Sequence, residues 1–451
     1  MRIQITRYTE IMMKYYKRIY TGCVLLLLIA AGAQAQITEK AEFGKFAITN
    51  ATIHTVSDGV IENGVVLING EKIEFVGKNA KITTEYQRIN AEGKHLYPGF
   101  MDSGTQLGLQ EIGAVEVTND QAELGAYNPH VRAFTAINPS SASIPVTRVN
   151  GVTHVISLPV SGRLSGKATL IDLYGYSPDS MAVSPNAGLH LNWPSAQKGG
   201  SWDDRSDEKV QEEYEEDLKE LNEFWEKAVF YDKMVSAYEE DPSNKEQPDA
   251  DKKMEAMREV LSGDVPVVIS VDRKQDILNA IEWTQKHPDV RFILAGVKEG
   301  WRVADEIAES GLPALVATLY TPERDYDNYQ RPYQNPGMLH EAGVKVAIAT
   351  GEVENVRNAP YHAGYAATYG LGKEEALKAI TLNAAEIFGV EDKLGSIEAG
   401  KQANLFLSDG DPFEPMSQIE QVFIRGYKIP MVSRHTQLND EYLDRGAEST
   451  N

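Results

Sequence analysis

Two patterns of apolar and polar residues divide the chain into strand-rich ends and a mixed middle. Near the start, apolar and polar residues alternate in 47–53, 64–70 and 72–77, and turn residues separate these stretches. Near the end, similar alternation occupies 404–407 and 421–424, on either side of a turn that contains Gly and Pro. Alternation with a period of two predicts short antiparallel strands. We therefore expect strands at both ends, and these strands are able to form one sheet domain.

Between the ends, short apolar runs alternate with longer helical stretches. The run 265–269 precedes a helix predicted from near Lys274, and the run 291–294 precedes one predicted near Trp301. Further apolar runs of this kind occupy 152–156, 314–317 and 344–348. Strands that alternate with helices predict a parallel sheet. The number of these units favours a closed barrel over an open sheet.

The segment 203–226 is strongly acidic, with twelve acidic and three basic residues around sparse apolar positions. We expect a largely solvated helix there, because charged residues cover the solvent face of such helices. An acidic docking face is the alternative. The stretches 200–207 and 240–251 contain residues that break helices or favour turns, so we predict exposed connections.

Residues 1–35 have the pattern of an export signal. Basic residues precede an apolar run at 23–31, and Ala33-Gln34-Ala35 offers a cleavage site with small residues. The apolar run is shorter than the roughly 20 residues of a membrane-spanning helix. The sequence therefore predicts an exported protein, periplasmic or extracellular, that starts near Gln36 and has no permanent membrane span.

The amino-acid composition limits the cross-links, metal sites and partners that we expect. Cys23 is the single cysteine and lies in the predicted signal, so we expect neither disulfides nor thiolate metal sites in the mature chain. The whole chain has a formal net charge of −22. The predicted signal contains more basic than acidic residues, so its removal makes the mature chain more acidic still. This charge argues against nucleic acid as a partner.

Three stretches of sequence, taken together, resemble one enzyme family. They read Tyr97-Pro98-Gly99-Phe100-Met101-Asp102, Thr381-Leu382-Asn383-Ala384-Ala385-Glu386-Ile387-Phe388-Gly389 and Leu394-Gly395-Ser396-Ile397-Glu398-Ala399-Gly400-Lys401-Gln402-Ala403-Asn404-Leu405. In this order and at these distances they resemble the amidohydrolase superfamily, especially its imidazolonepropionase-like secreted bacterial members. The resemblance extends from residue 44 to residue 428.

The resemblance implies an α/β fold, a (β/α)8 TIM-like barrel with a small β-sandwich built from the segments before and after the barrel. The implied organisation is a signal peptide at 1–35, the N-terminal part of the sandwich at 36–96, the amidohydrolase-like barrel at 97–392, the C-terminal part of the sandwich at 393–430 and a C-terminal tail at 431–451. The sandwich is thus expected to be discontinuous in sequence.

The resemblance also implies a metal site, and the residues expected to form it are replaced. Family members hydrolyse amide, lactam or related bonds with one or two divalent metals at the C-terminal ends of the strands. The His-x-His motif of strand 1 falls on Gly104 and Gln106, and the histidine of strand 5 falls on Ser270. The strand 6 position falls on Gly296, and the aspartate of strand 8 falls on Gly351. Shifting the alignment does not restore these ligands.

Other polar residues lie near the predicted strand ends. Asp172 falls near the position in strand 4 that often holds a carboxylated lysine in the family, and Lys167 lies close by. The residual polar groups expected near the pocket are Asp102, Glu299, Glu352 and His362. The histidines have no partner at metal-ligand spacing, so we expect ordinary buried or surface histidines. They are His54, His95, His130, His154, His190, His287, His340, His362 and His435.

Three functions follow from these expectations. The first is a relative of the metal-dependent hydrolases of non-peptide C–N or dipeptide-type amide bonds. This relative is non-catalytic or impaired, and we expect it to have no cofactor. It keeps the pocket for a small peptide-like or cyclic amide ligand, or pairs with an active relative or a second copy. The alternative is an active amidohydrolase with a rebuilt centre that uses residues such as Asp172, Glu299, Glu352 or His362, with zinc or another divalent metal. The third is a scaffold protein that docks through 203–226.

Overall fold

The computed structural model describes residues 40–200, 202–319 and 329–448. The predicted export signal lies outside these residues, so its cleavage stays a prediction. Within the described ranges, every helix is too short or too polar to cross a membrane.

The elements are numbered in chain order. The strands are β1 (Glu42–Phe43), β2 (Lys45–His54), β3 (Val60–Asn69), β4 (Lys72–Gly77), β5 (Gln87–Asn90), β6 (His95–Pro98), β7 (Phe100–Thr105), β8 (Val152–Ser157), β9 (Leu164–Asp172), β10 (Ala182–Asn192), β11 (Val267–Val271), β12 (Phe292–Gly296), β13 (Ala314–Val316), β14 (Val346–Ile348), β15 (Leu405–Ser408), β16 (Ile419–Ile424) and β17 (Tyr427–Ile429). The α-helices are α1 (Ser143–Arg148), α2 (Pro178–Met181), α3 (Asp207–Glu240), α4 (Lys252–Leu261), α5 (Lys274–Thr284), α6 (Ala304–Ser310), α7 (Arg331–Glu341), α8 (Ala359–Ala366), α9 (Lys373–Ala379), α10 (Leu382–Ile387) and α11 (Arg434–Glu448).

One sheet joins the two ends of the chain. It runs in the order β1-β17-β16-β15-β6-β2-β3-β4, with β5 beside β2. The two segments meet where β6 pairs with β15 in antiparallel fashion, with Tyr97 opposite Phe406. Buried side chains from both segments, including Phe46, Ile53 and Phe423, pack in one apolar cluster. The expected small domain built from the segments before and after the barrel is confirmed.

The second sheet contains β7 to β14 in sequence order. Its two edges meet, because the Gly351 N–H donates to the Gly104 carbonyl oxygen at 2.9 Å, so the eight strands nearly close. Val268 and Leu315 belong to the cluster inside the barrel. Ile269 belongs to the separate cluster between the strands and the helices. The TIM-like barrel is therefore confirmed.

One barrel strand departs from the expected direction. β9 runs antiparallel to both β8 and β10, whereas the other neighbouring pairs are parallel. A parallel pair needs a crossover of a dozen or more residues, and the connections on either side of β9 are shorter than that. The expectation of a parallel sheet is wrong for this strand.

The acidic segment forms most of α3, so the predicted helix is confirmed and extends to Glu240. The Ser206 side chain caps the helix by accepting a hydrogen bond from the Lys209 N–H at 3.1 Å. Leu221 and Trp225 are buried on its inner face, while most of its acidic residues are exposed. The stretches before α3 and between α3 and α4 are exposed connections, as expected.

Glycines in the family-like motifs permit close packing. A Cβ at Gly99 would lie 2.0 Å from the Thr153 hydroxyl oxygen, so only glycine allows the chain to pass β8 at this distance. Gly395 has a φ of +88°, and a Cβ there would lie 2.8 Å from the Ala385 Cβ in α10. The motif around Gly395 is therefore seated directly on the helix formed by the preceding motif.

Candidate functional site

A cavity of about 370 Å³ lies at the C-terminal ends of the parallel barrel strands. Five positions where the resemblance puts metal ligands line it, namely Gly104, Gln106, Ser270, Gly296 and Gly351. Polar residues among its other lining residues are His190, Asn192, Asp272, Lys298, Thr350 and Glu352. The structure thus brings the five replaced positions together at the end of the barrel where active sites of this architecture lie.

Asp102 closes the barrel beside this cavity. Its Oδ1 accepts hydrogen bonds from the Gly104 N–H at 3.1 Å and the Thr350 N–H at 3.0 Å. Its Oδ2 accepts a hydrogen bond from the Thr350 hydroxyl. Burial raises the pKa of Asp102 to about 7, although these hydrogen bonds act in the opposite direction. The carboxyl group therefore links β7 to the segment after β14.

The segment after β14 has a backbone that suits glycine at position 351, where the resemblance puts an aspartate. Gly351 has a φ of +68°, a left-handed conformation that strains other residues. The carbonyl oxygen of the next residue, Glu352, accepts a hydrogen bond from the Gln106 N–H at 3.2 Å. The Glu352 Oε2 accepts one from Asn355 Nδ2, also at 3.2 Å. Glu352 lines the cavity, with its carboxylate bound by a neighbour on its own loop.

A neighbouring carboxylate fills the space beside Gly296, where the resemblance puts the strand 6 ligand. Gly296 has a φ of +87°, and a Cβ there would lie 2.3 Å from Asp272 Oδ1. Asp272 Oδ2 pairs with Lys298 Nζ at 2.6 Å. Glu299 lies one residue further, where its Oε2 accepts a hydrogen bond from the Lys274 N–H at 2.8 Å at the start of α5. Glu299 thus caps a helix.

His190 contributes to the cavity, although the sequence pattern did not single it out. It lies on β10, the fourth barrel strand, and is buried. Its Nδ1 lies 2.6 Å from the Pro159 carbonyl oxygen, and its Nε2 lies 2.7 Å from the Ser270 hydroxyl oxygen. Burial lowers the pKa of His190, which favours the neutral imidazole. The signal in the sequence that could have identified His190 is its position among the apolar residues of a buried strand.

Asp172 lies at the opposite end of the barrel, because β9 is reversed. It is opposite His154, near the start of β8. Its Oδ1 accepts a hydrogen bond from Asn404 Nδ2 at 2.6 Å, and its Oδ2 lies 3.2 Å from Arg425 Nε. Burial raises the pKa of Asp172 to about 7, whereas Arg425 and Asn404 lower it. The expected strand 4 position of Asp172 at the pocket is therefore wrong, and the residue links the barrel to the nine-stranded sheet.

The side chains of His362 and Lys167 also bind neighbouring groups of the protein. His362 is buried in α8, where its Nδ1 accepts hydrogen bonds from the N–H groups of Thr318 and Leu319 at 3.2 and 3.3 Å. Burial lowers the pKa of His362 to about 4. Lys167 is buried on β9 and forms an ion pair with Glu259 of α4. His362 thus joins α8 to the segment after β13, and Lys167 joins β9 to α4.

The five positions where the resemblance puts metal ligands do not fit a divalent metal. Zinc and similar metals need imidazole, carboxylate or thiolate ligands. Three of the five replaced positions are glycines, which have no side-chain donor, and Gln106 offers a neutral amide. Ser270 is bound to His190. Throughout 40–200, 202–319 and 329–448, no three His, Cys, Asp or Glu side chains come together to hold a metal ion.

Known proteins agree with this architecture. Residues 330–432 match the model of the amidohydrolase family. The imidazolonepropionase of Shouchella clausii is 26% identical over 394 residues, which cover 79% of this chain and 82% of that protein. An amidohydrolase structure from Thermotoga maritima has a TM-score of 0.76 at 27% identity, covering 85% of this chain and 99% of that chain. These three matches support the assignment of the chain to the amidohydrolase superfamily.

More distant amidohydrolase-like structures share the fold. A prolidase complexed with n-methylphosphonate-l-proline has a TM-score of 0.51 at 16% identity, over 85% of this chain and 99% of that chain. Likeness at this level of identity concerns the fold alone.

Proposed function

We propose that this amidohydrolase-family protein is impaired in, or has lost, metal-dependent hydrolysis, and that its barrel cavity binds a small peptide-like or cyclic amide ligand. One observation carries the proposal. Gly104, Gln106, Ser270, Gly296 and Gly351 surround a single cavity at the positions where the family resemblance puts metal ligands. A metal in such a site lowers the pKa of bound water from 15.7 to about 7, and these side chains offer no ligand set to hold one.

The lining supports an amide-type ligand. Leu158, Val160 and Leu315 supply apolar surface, and a volume of about 370 Å³ falls within the range of ligand pockets. The Gln106 amide offers both a donor and an acceptor. Asp272 and Lys298 line the cavity with opposite charges. This combination complements a small molecule that carries an amide and, as in a peptide, both an amine and a carboxylate.

The alternative of a rebuilt metal centre has weaker support. Asp172 lies at the other end of the barrel, and Glu299 caps α5. His362 binds the backbone after β13. These three residues do not converge on the cavity, and Glu352 is the one residue of this alternative that lines it. We further propose, from the sequence, that the protein is exported to the periplasm or the extracellular space.

Metal content tests the proposal. Tag-free protein is incubated with zinc, manganese, iron or cobalt, dialysed and measured by mass spectrometry of the metal. We expect clearly less than one equivalent per chain, because three glycines, an amide and a hydroxyl form no ligand set. The same protein dialysed with EDTA provides the blank. One equivalent retained through dialysis, together with metal-dependent turnover of dipeptides or lactams, contradicts the proposal.

Ligand binding is measured separately, by calorimetry with dipeptides, N-acyl amino acids and cyclic amides. Ala317 lines the cavity, so Ala317→Phe should fill part of it and weaken binding at least about tenfold. Val117→Phe is the matched control, because Val117 is exposed and outside the cavity lining. Equal binding by the two variants would place the ligand elsewhere.

A further inference from the structure

We propose that Ser270 and His190 form a nucleophile and base pair that lets the cavity accept an acyl group from an activated ester or amide without a metal. This activity goes beyond the proposed binding function and rests on it only for access of the ligand to the cavity. The pair consists of a serine that replaces a family ligand and a histidine on the neighbouring strand.

The hydrogen bonds of His190 select the form of the imidazole that activates a serine. The Pro159 carbonyl oxygen can only accept, so His190 Nδ1 carries the proton that bridges their 2.6 Å separation. His190 Nε2 then accepts the hydrogen bond from the Ser270 hydroxyl at 2.7 Å. A serine that donates to a histidine, with the histidine oriented by a third group, is the arrangement of nucleophilic catalysis.

The strand register directs both side chains into the barrel mouth. In the parallel pairing of β10 with β11, His190 is opposite Val268 and Asn192 is opposite Ser270. Val268 packs in the barrel interior, and side chains two residues apart on a strand share a face. Ser270 therefore faces the same way as Val268, two residues closer to the mouth.

Ser270 is accessible, whereas its partner is shielded. It is partly exposed, and His190 is 4% exposed. Ser270 lines the cavity of about 370 Å³ and also an adjoining one of about 520 Å³, which share Asp272 and Gly296. A ligand that occupies both cavities passes over the Ser270 hydroxyl. Lys298 and the Gln106 amide line the smaller cavity and are donors available to a developing oxyanion.

The chemical step balances within the pair and the ligand. The Ser270 Oγ forms a bond to the carbonyl carbon while its proton moves to His190 Nε2. The bond from that carbon to the leaving group then breaks, and His190 returns the proton to the leaving group. Water next attacks the acyl-serine, gives one proton to His190, and releases the carboxylic acid as Ser270 regains its hydroxyl proton.

Covalent labelling tests the pair. Purified protein is treated with EDTA and then with a fluorophosphonate probe, and the adduct is located by mass spectrometry of peptides. We expect modification at Ser270, lost in Ser270→Ala and slowed at least about tenfold in His190→Gln, because general base catalysis contributes a factor of about 100 or more. Ser262→Ala is the control, since Ser262 is exposed and binds Asp264.

A cysteine variant keeps the test decisive if removal of either partner disturbs folding. The single native cysteine, Cys23, is first replaced by alanine. The rate of iodoacetamide labelling is then followed against pH for Ser270→Cys and Ser262→Cys. An imidazole that takes the thiol proton lowers the thiol pKa. We therefore expect the profile of Ser270→Cys to rise at lower pH than that of Ser262→Cys.

Two results would contradict the proposed pair of Ser270 and His190. They are a folded protein that is not labelled at Ser270, and identical pH profiles for the two cysteine variants. A protein that binds amide ligands but fails both tests keeps the proposed function and loses this inference. A protein that retains one equivalent of metal with turnover loses the proposed function, whatever the labelling shows.

Discussion

Asp102 belongs to one of the motifs that carry the family resemblance, yet its carboxyl group binds only neighbouring groups of the protein. It accepts hydrogen bonds from Gly104 on β7 and from Thr350 in the segment after β14, where the barrel closes. The group is fully buried, and burial raises its pKa to about 7. At the residue scale, a carboxyl group beside the cavity stabilises the closure of the barrel.

This raised pKa predicts how stability depends on pH. In the unfolded chain the carboxyl titrates near pH 3.9, so Asp102 contributes stability at low pH that is lost as pH rises towards 7. Asp102→Asn keeps an acceptor for the two N–H groups and cannot ionise. We expect the stability of the wild type relative to this variant to fall by about 2 kcal/mol from pH 5 to pH 8, measured by urea unfolding. Parallel pH profiles would contradict the assignment.

The replaced ligand positions were predictable from sequence, and the position of His190 was not. Gly104, Ser270 and Gly351 lie at fixed distances from recognisable motifs, and the structure groups them around one cavity. Asp172 was misplaced because the resemblance put it near the pocket end of strand 4, whereas it ends β9, the third barrel strand, which runs in the reverse direction. β10 is the fourth strand of the barrel, and its His190 lines the cavity.

At the scale of elements, the motif from Leu394 to Leu405 contains two glycines whose surroundings differ. Gly395 and Gly400 both have positive φ, +88° and +94°. A Cβ on Gly395 would meet α10, whereas nothing lies within 4 Å of a Cβ on Gly400. Alanine at position 400 therefore introduces backbone strain alone, whereas alanine at position 395 introduces backbone strain together with a steric clash.

This pair gives a matched prediction for stability. Gly400→Ala should lower the free energy of unfolding by about 1 kcal/mol, the cost of a left-handed backbone for alanine. Gly395→Ala should lower it by about 3 kcal/mol, because the clash with Leu382 and Ala385 adds an overpacking cost. Guanidinium unfolding of both variants measures the difference. Equal losses would mean that α10 moves away without cost.

At the scale of the whole molecule, a few contacts tie the nine-stranded sheet to the barrel. Asn404 donates to Asp172, and Arg425 pairs with the same carboxylate. The rings of Phe100 and Phe406 are 4.7 Å apart between centroids. These contacts cross between segments that are far apart in sequence, so we expect the sheet and the barrel to unfold together.

Tryptophan fluorescence reports on this coupling. In the sequence, all five tryptophans lie after the first segment of the sheet domain and before the second. Phe423 is buried in the sheet domain, so Phe423→Ala should cost about 3–5 kcal/mol. We expect it to lower the unfolding midpoint seen by tryptophan fluorescence as much as that seen by circular dichroism. Val60→Ala, at an exposed position of β3, is the control. A fluorescence midpoint that does not move would mean independent unfolding.

The split sheet also sets an order of events during synthesis. β6 needs β15 as its antiparallel neighbour, and about 300 residues separate them in the chain. A ribosome therefore releases β2 to β6 long before their partners exist, and the β6 edge stays open to other strands throughout. The last strands to emerge close that edge, so a chaperone that shields the first segment until translation ends would raise the yield of folded protein.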